Sequence, residues 1–375
     1  MLTYKRKLIL NNEQKKRISS WIDTCRFVYN MALEIKIDAW RIAQKNIGSY
    51  ELMNQLPTIK DISWINDVPA QCLQGVIERG DHAYKMFFKG NGYPKYKSKR
   101  FYNSILFKGV LKRRQNEIKL LKIGWLKMFK DARILGKIKT AVIKREIDGY
   151  FVYIVCDEMR TIQNTDESQV GAIDMGVVNL FVDHNGNYCK NPRQFKKYET
   201  KLRVENRSLS RKKKGSNRWK KQAKVVAMLH HKISNVRKDF LHKESTKLAK
   251  QYHTIYVEDL NIENMSKRCK PKQGEDGKFL PNRQARKSVL NNAILDAGWG
   301  YFRTMLSYKT NVVRVDQKYT SQTCNECGKK HAMSRVSQNK FVCVYCKHEA
   351  NADENAAKNI LSRGIALNRK REPLG

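Results

Sequence analysis

The chain has no long hydrophobic run. Its longest apolar stretch, Tyr150 to Cys156, has seven residues, against the roughly 20 that a membrane-crossing helix needs. The first twelve residues, Met1 to Asn12, follow their charges with only three apolar positions, so they do not read as a secretory signal. No Lys-rich helix carries a clean Trp/Leu face beside a lipidation motif, which argues against a membrane surface as the partner. The expected setting is the cytoplasm. Internal repeats are also missing. Acidic residues are scarce: 35 Asp plus Glu face 75 Lys plus Arg, a formal charge of +40 over 375 residues. Self-repulsion of that size destabilises a compact state and points to a polyanionic partner. The cations recur along the whole length rather than in one tail, which suits a long nucleic-acid track with salt-sensitive affinity.

Apolar residues are nevertheless 41% and aromatics 10% of the chain, enough to exclude wholesale disorder. The length predicts two or three domains. Nine cysteines fall into two populations. Cys25, Cys72, Cys156, Cys189 and Cys269 are scattered, mostly within apolar patterns, as reduced core cysteines in a cytosolic protein would be. The other four form Cys324-Asn-Glu-Cys327 and Cys343-Val-Tyr-Cys346, with fifteen residues between the pairs. Each CxxC turn aims two thiolates at one point, and two turns complete a tetrahedron around Zn2+. Gly328 follows the first pair, where a knuckle turns tightly. Two disulfides are the alternative, which the reducing compartment disfavours. Four thiolates leave no coordination position for water, so this zinc is expected to be structural.

Residues 3–10 read as a strand. Asn11 and Gln14 fit a capping pair for a helix with Trp21, Cys25, Val28, Ala32 and Ile35 on one face. A second helix runs through Leu73, Val76, Ile77, Ala83, Tyr84 and Phe87 and ends at Gly90-Asn-Gly92. In Tyr93-Pro-Lys-Tyr-Lys-Ser-Lys-Arg100, the cations Lys95, Lys97, Lys99 and Arg100 interleave with two tyrosines, a pattern that suits phosphate contact with stacking or simply a solvated loop. From Phe101 to Asp157 short β-branched runs predict a small β-barrel joined to the first strand, with Asp148-Gly149 as a hairpin turn. Thr161 to Ser168 reads as a linker. Beyond it, Val170-Gly-Ala-Ile-Asp-Met-Gly176 is a buried strand, with a meander through Asn179–Asp183 and Tyr188. Between Lys190 and Lys250, 21 cations face four acids around apolar positions that fit long helices. Thr254–Asp259 is the next buried strand. Arg268–Lys287 reads as a mobile loop, Leu290–Leu306 as one helix, Asn311–Val315 as a strand and Glu354–Leu361 as a closing helix. This alternation predicts a mixed α/β sheet.

Three carboxylates punctuate that second half: Asp174 ends a strand, Glu258 ends a later one, and Asp353 precedes the last helix. Each follows a mostly apolar or small-residue segment, where an uncompensated charge is expensive. Brought together they would raise one another's pKa unless a divalent cation neutralised them. Hard oxygen ligands favour Mg2+ or Mn2+, and two such ions support phosphodiester hydrolysis. Taken singly, Asp174 also reads as a turn former, Asp353 as a helix N-cap and Glu258 as a surface charge. Asp259 falls on the opposite strand face and is the less favoured ligand.

Four segments, Ala-Ile-Asp174-Met-Gly, Val-Glu258-Asp-Leu-Asn, Tyr319-Thr-Ser-Gln-Thr-Cys-Asn-Glu-Cys-Gly328 and Ala-Asp353-Glu-Asn-Ala-Ala-Lys-Asn-Ile360, together resemble the transposon-encoded TnpB family, relatives of the compact type V CRISPR effector nucleases. Cys25-Arg-Phe-Val-Tyr-Asn30 and Gly92 to Lys99 resemble that family's recognition and wedge modules, so the likeness spans nearly the whole chain. The resemblance implies an RNA-guided DNA endonuclease. Its RuvC-like, RNase H-type domain (169–318 and 350–375) would hold a four-cysteine zinc ribbon (319–349) that binds target nucleic acid. A wedge β-barrel (1–10 and 93–165) would carry an inserted helical recognition module (11–92). Asp174, Glu258 and Asp353 become a triad binding two Mg2+ ions, with Cys324, Cys327, Cys343 and Cys346 as zinc ligands. The partners implied are a guide RNA from the transposon end and double-stranded target DNA bearing a short adjacent motif, in association with the bacterial nucleoid. Asn351 stands where many members have Asp and lies outside the triad. The guide would supply sequence specificity, leaving the protein to hold a heteroduplex by its backbone. Arg211, Lys212, Lys213 and Lys214 are candidates for the channel wall, and the amides of Asn30, Gln71 and Gln74 for base contacts. A strand-transfer transposase shares the acidic chemistry, although the His-hydrophobic-His motif of the other transposition chemistry is missing, His230 and His231 being adjacent. A nuclease-inactive RNA-guided repressor would be expected to have lost acids that all stand here. A zinc-ribbon nucleic-acid binder without a guide is the third alternative.

Overall fold

A computed structural model describes residues 2–59, 61–109, 111–129, 134, 136–158, 164 and 166–369. The chain divides into two compact units, Met1–Arg160 and Thr161–Gly375. Half of the expected linker, 161–163 and 165, lies outside the described residues, as do 370–375 of the expected nuclease domain.

In the first unit, strand β1 (Leu2–Ile9) leads into helix α1 (Asn12–Ala43). The capping pair forms as the sequence predicts: the Gln14 amide N–H donates to Asn11 Oδ1 at 2.7 Å and the Asn11 N–H to Gln14 Oε1 at 3.2 Å. Ile18, Trp21, Ile22, Cys25, Val28 and Ala32 then bury one stripe of the helix. Helices α2 (Ser49–Asn54) and α3 (Ser63–Asn66) bridge to α4 (Ala70–Phe88), which Pro69 precedes. Six more strands follow: β2 (Ser104–Lys108), β3 (Lys112–Arg114), β4 (Glu117–Leu120), β5 (Gly124–Met128), β6 (Lys137–Glu146) and β7 (Gly149–Asp157). All pairings are antiparallel, in the order β2-β6-β7-β1-β5-β4-β3. Strand β1 joins the two halves, pairing Leu2–Lys7 with β7 and Leu8–Ile9 with β5.

The expected barrel is thus an open order, with no pairing between β2 and β3 among the described residues. Strand β3 is three exposed cations, Lys112-Arg113-Arg114, and a buried seam would strip their water. The expected hairpin turn falls one residue earlier, on Ile147-Asp148, since Glu146 pairs with Gly149. Helices and sheet share one core, in which Trp21 meets Phe107 at 6.4 Å and Gly75 closes on Leu106.

The second unit contains β8 (Val170–Asp174), β9 (Asn179–Asp183), β10 (Tyr188–Lys190), α5 (Gln194–Ser210), α6 (Asn217–Gln251) and β11 (Thr254–Glu258). These are followed by α7 (Ile262–Met265), β12 (Lys272–Gln273), β13 (Phe279–Leu280), α8 (Gln284–Ala297), α9 (Trp299–Ser307) and β14 (Asn311–Val315). A short pair, β15 (Lys340–Val342) and β16 (Glu349–Asn351), precedes the last helix, α10 (Ala352–Arg369). The five-stranded sheet has the order β10-β9-β8-β11-β14. Strands β8, β11 and β14 are parallel, while β9 runs antiparallel to β8.

Every residue of β11 is buried, as expected for a parallel strand covered on both faces. Ile173, Ile255 and Val257 pack with Leu241, Leu248, Trp299 and Phe302 on one side. Ala172 and Tyr256 pack with Ile360 of α10 on the other. A Cβ at Gly364 would lie 2.1 Å from the Tyr256 ring, so this glycine sets how closely α10 rides on the sheet. The expected single helix 290–306 is broken at Gly298, whose φ of +72° a helix interior does not accept. Within the expected loop 268–287, β12 and β13 form a small antiparallel hairpin.

Candidate active site and metal centre

Side chains alternate along a strand, so Asp174 shares a face with Ala172, and Glu258 with Tyr256. Both acids therefore face α10. The parallel register, with Val257 opposite Ile173, sets Glu258 beside Asp174 at the ends of neighbouring strands. Asp353 stands in the first turn of α10. Asn351 Oδ1 accepts the amide N–H groups of Asp353 at 2.9 Å and Glu354 at 3.4 Å. Asn351 therefore does the capping, which leaves the Asp353 carboxyl free of that task.

The three acids line one cavity of about 320 Å³ together with the Met175–Asn179 turn, Gln317, Thr320, Ser321, Arg335 and Gln338. Burial, then repulsion from Glu258 and Asp353, pushes the Asp174 carboxyl up to about 8, with Arg335 pulling the other way. Burial also raises Glu258, against the hydrogen bond that Thr320 donates to it. Asp353 is raised by burial and lowered by Arg335, whose Nη2 lies 3.3 Å from its Oδ1. Three carboxyls that resist ionisation in one polar cavity make a hole of negative potential once they do ionise. Hard oxygen donors of this kind fit Mg2+ or Mn2+. Their oxygens do not all approach within 4.8 Å of one another, so they line the cavity rather than crowd one point. Asp259 turns away, as the alternation predicts, and pairs with Arg314 and Arg303 at 3.3 and 3.5 Å.

The four motif cysteines converge, with every Sγ within 4.8 Å of the others. Cys324 to Cys346 is 3.7 Å and Cys327 to Cys343 is 3.6 Å; sulfurs about 2.3 Å from a tetrahedral zinc stand about 3.8 Å apart. Each pair sits on a tight turn: Gly328 N–H donates to Cys324 O and Lys347 N–H to Cys343 O, both at 3.0 Å. Gly328 takes φ +70° and Lys347 φ +62°, so the second knuckle forms without glycine. The donor set and spacing fit Zn2+ and leave no open position.

Residues 153–268 match the family described as "Probable transposase", residues 299–360 match "Cas12f1-like, TNB domain", and residues 1–45 match "Helix-turn-helix domain". The last covers β1 and the single long helix α1. The Escherichia coli (strain K12) protein named "Putative RNA-guided DNA endonuclease InsQ" is 34% identical, over 97% of this chain and 92% of its own. The chain belongs to the TnpB family. A Streptomyces pristinaespiralis protein named "Putative RNA-guided DNA endonuclease" is 28% identical over 97% of this chain and 89% of its own. The chain also shares its fold, at a TM-score of 0.56 and 16% identity over 94% of this chain and 83% of the other, with a cryo-EM structure of a Cas12f1–sgRNA–target DNA complex.

The nucleic-acid candidates of this TnpB-family chain fall in several places. Asn30 spends its amide on the Lys97 backbone, accepting from N–H at 2.8 Å and donating to the carbonyl at 3.1 Å. It pins the basic segment in place. Along that segment Lys95 and Tyr96 are exposed, Lys97 sits 5.9 Å above the Tyr29 ring, and Lys99 pairs with Asp23 at 2.8 Å. Gln71 and Gln74 lie on the first turns of α4, Gln74 exposed and Gln71 half-buried. Arg211, Lys213 and Lys214 are exposed at the turn between α5 and α6, while Lys212 Nζ bonds Ser208 Oγ at 2.6 Å.

Sequence reasoning missed Arg335, Thr320, Gln317 and Gln338. Arg335 and Gln338 come from the ribbon segment, and one more arginine among so many cations carries no signal. Thr320 was within reach, because it stands in the Tyr-Thr-Ser-Gln-Thr-Cys stretch and a buried hydroxyl requires a partner.

Proposed function

We propose that the chain is a transposon-encoded, RNA-guided DNA endonuclease that hydrolyses target DNA by a RuvC-type two-metal mechanism. The carrying observation is the convergence of Asp174, Glu258 and Asp353 on one cavity in a chain of this family. The sheet order, with a three-strand antiparallel meander running into parallel β11 and β14, supports an RNase H-type domain over 169–318 and 350–375. The four-thiolate knuckles support a zinc ribbon over 319–349 that binds target nucleic acid. Residues 1–10 with 93–165 and the helical insert 11–92 are proposed as wedge and recognition modules for guide RNA and a short target-adjacent motif.

Two bound Mg2+ ions would supply an activated water and a charge sink for the leaving oxygen. The chain's own part is positional. Asp174 and Glu258 offer carboxylate oxygens side by side from rigid parallel strands. Asp353 offers a third from the start of a helix, whose N-terminal dipole favours its ionised form. Arg335 offsets part of their mutual repulsion before ions arrive. The cation-rich surface, including the α5–α6 turn, would follow a phosphate backbone while base pairing reads sequence.

The test is to purify the protein with its RNA from the native host, sequence that RNA, and offer the complex a matching target with randomised flanks and Mg2+. Double-strand cuts beside a short common motif are expected. Joined transposon ends instead of cuts would indicate strand transfer, guided binding without cuts a repressor, and random cellular RNA an unguided binder.

A further inference from the structure

Thr320 is 3% exposed, and its hydroxyl donates to Glu258 Oε1. It stands at the entrance of the ribbon segment, four residues before Cys324, and two asparagines of α10 fix its surroundings. Asn359, 7% exposed, donates from Nδ2 to Thr320 O at 2.9 Å and to Thr323 O at 2.7 Å. Asn355, fully buried, donates to Thr323 O at 2.8 Å and accepts the amide N–H of Asn325, inside the first CxxC turn, at 3.0 Å. The helix that carries Asp353 in its first turn therefore grips the first knuckle, and the same grip holds the hydroxyl that bonds Glu258. A buried amide left unpaired is costly, so asparagines that commit their side chains to these backbone groups indicate a fixed arrangement.

We propose that Thr320 is a positioning residue for Glu258, fixing the carboxylate so that one oxygen stays turned to the cavity, and that Asn355 and Asn359 tie this placement to the first zinc knuckle. The proposal rests on the three-acid site's being a divalent-cation site. One Glu258 oxygen is occupied by the Thr320 donor, which leaves the other as the natural ligand. Without the hydroxyl, the carboxylate regains rotamers that must be lost again on metal binding.

The experiment compares wild type, Thr320→Val, which keeps the shape without the hydroxyl, and Thr320→Ser, which restores it. Mn2+ binding to the nucleic-acid-free protein is read by electron paramagnetic resonance, and the Mg2+ concentration for half-maximal cleavage by the RNA-loaded protein is read in parallel. Zinc content and melting temperature report folding. Thr320→Val should weaken Mn2+ binding and raise the Mg2+ requirement by roughly tenfold while keeping its zinc. Thr320→Ser should stay near wild type. Wild-type metal dependence in Thr320→Val, equal defects in both variants, or no Mn2+ binding by the wild type would overturn the proposal. Failure of the wild type to cut DNA would sink the nuclease reading instead, and the Mn2+ titrations would still decide the role of Thr320.

Discussion

Asp174 bears the heaviest electrostatic load of the site. Its carboxyl is held at about 8 by burial and by its two acidic neighbours, so the metal-free folded chain keeps a proton that the unfolded chain gives up near pH 4. The sign follows from that difference. This group's contribution to metal-free stability is fully present below about pH 4 and is lost as pH rises through about 8. Ion binding must expel the proton, so apparent Mn2+ affinity should climb by up to about tenfold per pH unit below that value and level off above it. Mn2+ titrations at about pH 6 and about pH 9 with proton release recorded would check this, and a pH-independent affinity would contradict it. At this scale Asp174 and Glu258 were conspicuous in sequence, because each carboxylate closes a short, mostly apolar strand; Asp353, after Glu-Ala-Asn-Ala, stood out less. Arg335 and the Thr320–Asn359 bonding were not legible. They depend on side chains far apart in the chain that meet only after folding, and neither residue breaks a local pattern.

Among the elements, the short strands of the second unit were well marked in the sequence. β8 and β11, buried along most of their length, end within two residues of their expected limits, and β14 matches its limits with only Val315 buried, its valines setting the strand pattern. The α8–α9 break escaped the helical period: apolar spacing continues across Gly298, and the backbone there decides the matter. Among the described residues no pairing closes the barrel, and the strand at one end of the order, β3, is three consecutive exposed cations. The convergence of the four cysteines was readable because ligand chemistry fixes both residue type and spacing. Replacing Cys324 or Cys346 by Ser should release zinc, measured as metal content per chain, and lower the melting temperature. Because Asn355 ties the first knuckle to α10, the Cys324 variant should also weaken Mn2+ binding. Full zinc retention by either variant would argue against a four-thiolate site.

For the whole molecule, the charge of +40 and the α5–α6 turn favour a polyanion held by its backbone, and the affinity should fall steeply with salt. No helix among the described residues is long and apolar enough to cross a membrane. Charge selects the class of partner; the proposed chemistry depends on Asp174 and Glu258 at the ends of neighbouring strands and on Asp353 in the first turn of α10. The most direct measurement is therefore target cleavage by the RNA-loaded protein in Mg2+ for wild type, Asp174→Ala, Glu258→Ala and Asp353→Ala, with DNA binding followed in parallel. Each substitution is expected to lower the cleavage rate by roughly a thousandfold or more while target binding persists. Cleavage at the wild-type rate by all three would contradict the account.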